Sequence, residues 1–456
     1  MPRKLTIKSP IDGATVGTVP RRSPRDVRAA YARLSAAQRD WEDVPRSERL
    51  RTVGLLASTL RKHRRELADL LVREIGKTPS EAEAEVLRTA DLVDGTVREA
   101  RRLRPETIRD RRHRGRVQTV DREPLGVVLA ISPFNYPINL SISKLAPALA
   151  MGNTVLWKPS TQGSVVAARF VRRLYAAGFP RRLLTLITGR GGELGEALVD
   201  DPACAMVAMT GGTETGQWIA RRAGLVPLLL ELGGNDPAIV LADADLDLAA
   251  KHIVGGAFKL AGQRCTAVKR VYVVRGAADR LVRKIDAEVG RQFGSVGDPR
   301  EHPIGPVIDD AAAKRQRRLI AAAKRQGARV IRGGTVRGRY VEPTVLDRVP
   351  HRSPVVGEEQ FGPVLPIVRV KDVDEAVRLA NDTEYGLQAS IFTRNAPRAK
   401  RLASRIEAGG VHLNGPDQRA PDDFLFTGHK ASGLGAQGIR FALERMSQPK
   451  AIVTNP

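Results

Sequence analysis

The stretch GQRCTAVKR, residues 262 to 270, surrounds one of only two cysteines in the chain with Arg264, Lys269 and Arg270. A thiolate attacks carbonyl carbons, and neighbouring cations lower the pKa of a thiol, so Cys265 reads as a nucleophile. Cys204, inside the apolar run PACAMVAM, reads as a structural thiol. The stretch LLLELGGNDP, residues 228 to 237, ends an apolar strand on Glu231 and follows it with two glycines that let the backbone turn sharply. Partly apolar surroundings raise a carboxyl pKa into the range of a general base. In SPFNYPINL, residues 132 to 140, Asn135 follows a buried strand, where its amide can serve as a turn cap or as a donor to an oxyanion.

Composition narrows the setting of this chemistry. A chain of 456 residues, 42% of them apolar, can bury a large core or two to three packed units. Two cysteines make no disulfide framework, and no paired C-x-x-C offers a metal, so a reducing cytoplasm and no metal site are expected. The N-terminal segment lacks the apolar core of a signal peptide, and no run approaches the roughly 20 apolar residues of a membrane span. The formal charge of +25 and runs such as RDRRHRGR (109 to 116) and KRQRR (314 to 318) raise nucleic-acid binding as an alternative class. Aromatics for base stacking are sparse at 4%, and the arginines are spread among acidic partners, so no specific nucleic-acid role is expected. The same charge concentrates small anions near the surface.

Alternating elements must position these residues. Apolar residues at helical spacing predict two long amphipathic helices over 47 to 76 and 79 to 103. Short apolar runs at 126 to 134, 154 to 159, 183 to 189 and 206 to 212 alternate with helical stretches at 164 to 177 and 213 to 223, which predicts a doubly wound parallel sheet over about 122 to 232. A second α/β pattern follows, with strands at 237 to 242, 270 to 274, 364 to 370 and 389 to 393 and helices at 246 to 260, 278 to 292, 310 to 326 and 396 to 407. The tail KAIVTNP is expected to pair as a strand outside its own domain, with RVQTVDRE at 116 to 123.

Taken together, these motifs resemble the aldehyde dehydrogenase superfamily, which carries PFNYP, GNTVLWKPS, TGGTETG, LELGGNDP, GQRCTAVKR, EEQFGP and GHKASGLG in this order along nearly the whole chain. The resemblance implies an α/β fold: a Rossmann-like cofactor domain (1 to 103 and 122 to 232), an α/β catalytic domain (233 to 435) and a small β oligomerisation flap (104 to 121 and 436 to 456) of a homotetramer. It implies that Cys265 attacks the aldehyde, that the Asn135 amide and the Cys265 backbone N–H hold the oxyanion, that hydride leaves for a nicotinamide, and that Glu231 activates water against the thioester.

For the cofactor, the resemblance assigns Ser132 and matches Lys158 to the lysine on the adenosine ribose. Where NAD-preferring members carry glutamate this chain has Thr161, which tolerates a 2′-phosphate, so NADP is favoured over NAD. Gly211, Gly212 and Gly216 match the loop that meets the pyrophosphate at a helix N-terminus, with Gly212 where members usually have serine. Glu359 and Phe361 match residues on the nicotinamide ribose and ring.

Within the superfamily the chain is most similar to non-phosphorylating glyceraldehyde-3-phosphate dehydrogenases, which share the arginine before the cysteine, an RTAD segment (88 to 91) and a QRxPDxFxF stretch, here QRAPDDFLF (418 to 426). By that resemblance Arg88, Tyr136, Arg264 and Arg419 hold a substrate phosphate beside Thr266, as paired, charge-assisted hydrogen bonds from guanidinium do well. The departures are Ala420 in place of glycine and Leu425 in place of a common proline. Relatives acting on phosphonoacetaldehyde, sulfolactaldehyde or lactaldehyde share the arginine, which leaves another small anionic aldehyde, or lactaldehyde, as the alternative substrate.

Overall fold

A computed structural model describes residues 4 to 112, 115 to 419 and 421 to 455. Parts of three sequence-based expectations, in the basic run at 109 to 116, at Ala420 and at the chain's first residues, lie outside the described residues.

The first sheet has six strands in the order Gly433–Leu434, Leu228–Glu231, Cys204–Thr210, Val127–Ser132, Thr154–Pro159, Leu184–Leu186. The Val127–Ser132 strand runs parallel to both Thr154–Pro159 and Cys204–Thr210, which makes it the point where strand order reverses. Its side chains alternate between layers as the two-residue strand period requires: Val128 and Ala130 enter one core with Trp157 and Phe170, Val127 and Leu129 another with Leu156 and Val207. In such sheets ligands bind outside the carboxyl ends of the strands near the reversal. Ser132, Lys158, Thr210 and Glu231 all stand at or beside those ends.

A second sheet of seven strands is ordered Arg329–Arg332, Thr344–Asp347, Val364–Val370, Val268–Val274, Asp236–Val240, Gln388–Phe392, Gly410–Leu413. It is parallel apart from its first strand. Cys265 lies three residues before Val268, at the amino end of a central strand. A third sheet is antiparallel, and in it Ser447–Thr454 pairs with Val117–Pro124 along its whole length, the pairing expected for the tail.

Some boundaries differ from expectation. The helix expected over 47 to 76 is two, Arg46–Lys62 and Arg64–Ile75, interrupted at His63, whose φ of −108° and ψ of 19° are not helical. The helix expected over 396 to 407 spans Ala396–Ala403. Among the described residues no helix is long and apolar enough to cross a membrane.

Candidate active site

The loop before Cys265 is shaped by three successive left-handed residues, Leu260 (φ 53°), Ala261 (φ 50°) and Gly262 (φ 70°). At Gly262 a Cβ would meet the Gly362 carbonyl oxygen at 2.3 Å, so only glycine fits. The two non-glycine residues store strain of order 1–3 kcal/mol each, which the surrounding contacts must offset.

Lys269 and Arg270 fasten this loop. The buried Lys269 ammonium donates to the carbonyls of Arg264 (2.8 Å) and Cys265 (2.9 Å), and Arg270 donates to the Asn235 and Ala380 carbonyls at 2.8 Å each. Arg264 turns away and donates from Nη2 to the Gly256 carbonyl, while its Nε has no partner. Of the flanking cations Lys269 favours the thiolate, but burial outweighs it. Burial pushes the Cys265 thiol up to about 11; Lys269 opposes the rise, and the carboxylates of Asp236, Glu359 and Glu231 add to it. In the free protein the group is a thiol, and a base must take its proton.

Glu231 closes its strand and is buried, with Oε1 unpartnered among the described residues. Burial raises its carboxyl to about 7, against the pull of Arg419 and Lys144. Asn135, also buried, donates from Nδ2 to the Gln263 carbonyl at 2.9 Å. A primary amide has two N–H groups, so one is left for a ligand oxygen. Thr266 is buried beside Cys265.

The arginines behave differently from one another. Arg88 pairs with Asp422 at 2.9 Å and donates to the Arg419 carbonyl. Arg419 stands over the Phe426 ring at 5.6 Å, with Nε and Nη1 buried and without a partner among the described residues, and it feels the charges of Glu231 and Cys265. The Tyr136 ring carries the Lys77 ammonium 3.6 Å from its centroid.

Of the expected cofactor residues, Lys158 lines a cavity of about 850 Å³, together with Ile131, Gly192, Glu214 and Trp218 among others. Burial lowers the Lys158 ammonium to about 8, and it donates to the Pro159 carbonyl at 2.7 Å. The Thr161 carbonyl accepts the Ser164 hydroxyl at 2.7 Å. Ser132 is buried, with its hydroxyl engaged by Ser141 and Trp157. Gly212 caps the helix Thr213–Arg222 with open space where a side chain would stand, whereas a Cβ on Gly211 would meet Met209 and one on Gly216 would meet Leu232. Backbone amides at a helix N-terminus whose Glu214 and Thr215 line the cavity fit the phosphates of a dinucleotide. Glu359 accepts the Gly234 N–H at 3.0 Å and lies 3.8 Å from Lys269. Phe361, itself left-handed at φ 49°, packs edge-on against Phe134 at 5.9 Å.

Sequence reasoning missed Lys144. It is buried, donates to the Thr210 hydroxyl at 2.5 Å, and interacts with Glu231, Cys265 and Arg419; burial lowers it to about 7. A lone lysine within the apolar run SISKLAPALA was the available signal.

An asparagine and a buried carboxyl at the carboxyl edge of one sheet thus stand with a cysteine in the loop before a strand of the second. The chain belongs to the aldehyde dehydrogenase family, whose model matches residues 2–452. Similar proteins include NADP-dependent glyceraldehyde-3-phosphate dehydrogenase of Streptococcus equinus, 42% identical and covering 99% of this chain and 95% of the relative. Sulfoacetaldehyde dehydrogenase of Neptuniibacter caesariensis is 35% identical, covering 99% and 100%. Among solved structures, NADP-dependent glyceraldehyde-3-phosphate dehydrogenase from Bacillus halodurans C-125, complexed with NADP, superposes with a TM-score of 0.97 at 44% identity, over 99% of this chain and 96% of that one.

Proposed function

We propose that this protein oxidises glyceraldehyde 3-phosphate to 3-phosphoglycerate with NADP and without phosphorolysis. The observation that carries the substrate reading is Arg419, a guanidinium with two buried nitrogens unpaired in electrostatic reach of Cys265 and Glu231. An unpaired buried cation is costly unless a ligand completes it. A phosphate two carbons from the aldehyde does so, with Arg88 and the Tyr136 hydroxyl as further donors and Arg264 joining them only by leaving the Gly256 carbonyl.

In this reading Cys265 Sγ bonds to the aldehyde carbon and its proton passes to Glu231. The free N–H of Asn135 and the Cys265 backbone N–H hold the oxyanion, each donor contributing roughly 3 kcal/mol to the transition state. NADP, when bound, supplies the hydride acceptor, and Lys158, Thr161 and the glycines from Gly211 to Gly216 would hold it. Glu231 gives that first proton up to solvent, then takes one from water as the water oxygen attacks the thioester; the C–S bond breaks, the acid leaves as carboxylate and Cys265 leaves as thiolate, to be reprotonated. Support for NADP comes from Lys158 on the cavity, from the neutral Thr161, and from the NADP-bound relative.

One observation favours a second reading. Arg88 is already paired with Asp422, which leaves fewer guanidiniums for a dianion and suits a smaller anionic aldehyde such as a sulfonate, as the sulfoacetaldehyde relative is named for. Values of kcat/KM for glyceraldehyde 3-phosphate, phosphonoacetaldehyde, sulfoacetaldehyde and lactaldehyde separate the readings: the first expects glyceraldehyde 3-phosphate to have the highest, and a higher value for any of the other three would overturn it.

For the assembly we propose the three-part division of the chain given above and a cytoplasmic homotetramer joined through the flap. Ile108, Ile452 and Val453 are exposed on the third sheet, and Ser447–Thr454 forms its edge, the kind of surface that another chain covers.

A further inference from the structure

A single helix, Pro79–Arg102, reaches all three loops of the site. From its first turn, Glu81 Oε1 accepts the N–H of Leu260 at 3.0 Å, the first of the left-handed residues ahead of Cys265. One turn on, Glu85 Oε1 accepts the N–H groups of Ile138 and Asn139, both at 3.0 Å, closing the segment that carries Asn135 and Tyr136. The Thr89 hydroxyl accepts the Asn139 side-chain amide at 3.1 Å. Arg88 reaches Asp422 and the Arg419 carbonyl on the third loop. Positions 81, 85, 88 and 89 follow the i, i+4, i+7, i+8 rule of one helix face.

Glu85 has a second partner. Its Oε2 lies 2.6 Å from Lys77 Nζ, with both side chains buried, and the same ammonium stands over the Tyr136 ring. Lys77 thus fixes the ring plane from below while Glu85 fixes the backbone just beyond it.

We propose that Glu81, Glu85 and Lys77 are positioning residues that set the nucleophile loop and the Asn135–Tyr136 loop in register through one rigid helix. Glu81 holds the strained turn before Cys265. Glu85 and Lys77 aim the Asn135 amide and the Tyr136 hydroxyl at the substrate. The inference rests on the proposed roles of Cys265 and Tyr136.

Glu81 also caps its own helix through Thr78, so Thr78→Ala serves as the control that weakens the cap and spares the Leu260 contact. The double variant Lys77→Met with Glu85→Gln exchanges a buried ion pair for neutral groups of similar size and keeps an oxygen for the two N–H groups. The readout is the single-turnover rate constant with enzyme in excess, which an inactive fraction leaves unchanged, together with KM for glyceraldehyde 3-phosphate and for propionaldehyde.

Glu81→Ala is expected to slow the single turnover about tenfold or more on both aldehydes, because small displacements of a nucleophile cost rate steeply. Glu81→Gln restores most of the rate, and Thr78→Ala leaves it near wild type. The double variant is expected to raise KM for the phosphorylated aldehyde about tenfold with little change for propionaldehyde. Unchanged single-turnover constants with a lowered Tm would overturn the proposal and leave these residues purely structural. Equal movement of both KM values would overturn the Lys77 and Glu85 part. A wild type that prefers another anionic aldehyde defeats the substrate reading alone, since the Glu81 variants still report on propionaldehyde and the double variant is then read on the preferred anion.

Discussion

The Asn135 side-chain amide donates to the carbonyl of Gln263 at 2.9 Å, two residues before Cys265. This bond ties the loop at the carboxyl edge of one parallel sheet to the loop at the amino edge of another. It leaves the second N–H of the amide for the oxyanion in the proposed mechanism. Asn135→Ala removes that donor and loosens the tie. A fall in kcat of roughly 10² to 10³ is expected, read by steady-state kinetics with circular dichroism to verify the fold.

Burial holds the Cys265 thiol at about 11, so little thiolate exists at neutral pH in the free protein. Below that value each pH unit adds about tenfold to the thiolate fraction, and alkylation of Cys265 by iodoacetamide should climb accordingly from pH 7 to 9. A rate that is flat over this range would show a preformed thiolate. Cys265→Ser should abolish turnover while Cys204, buried with its own thiol raised by desolvation, stays unlabelled.

Glu231 must be ionised to accept a proton, and its folded value lies above that of a free carboxyl, at about 7. Hydrolysis should therefore be lost as pH falls through about 7 and reach a plateau above it. Glu231→Gln should trap the thioester, visible by mass spectrometry as an adduct on Cys265. Arg419 and Lys144 oppose the rise, so Arg419→Leu should move the acid limb to higher pH, and the same variant should raise KM for the phosphorylated aldehyde more than for a neutral one.

Thr161→Glu introduces a carboxylate three residues after Lys158, which lines the cavity proposed to hold the cofactor. It should repel a 2′-phosphate and shift the ratio of kcat/KM values from NADP towards NAD by about tenfold or more. An unchanged ratio would remove Thr161 from the account of cofactor choice.

Much of this site was legible because its residues sit where strands end. Glu231, Asn135, Lys158 and Gly211 follow apolar runs that stop abruptly, and that stop is visible in sequence. The pairing of Ser447–Thr454 with Val117–Pro124 was legible for a similar reason, both being β-rich segments isolated from the alternating pattern. Direction was not legible. Adjacency to Cys265 implied that Arg264 would bear on the thiol, yet the side chain leaves for the Gly256 carbonyl. Lys269, read as an activating cation, does favour the thiolate but also clamps two carbonyls, and burial outweighs its charge. Nor did any glycine or proline announce the break at His63, where the chain leaves helical geometry between two helical patterns that join in phase. The strands Arg329–Arg332 and Gly410–Leu413 lie at the two ends of their sheet, where polar residues are tolerated and the apolar signal is weak.

The most direct test of the central claim is absorbance at 340 nm when pure protein is mixed with glyceraldehyde 3-phosphate and NADP in phosphate-free buffer. A sustained rise that Cys265→Ser eliminates is the predicted result, because it requires oxidation through the thiol with water as the second nucleophile. A rise that appears only after inorganic phosphate is added would contradict the account.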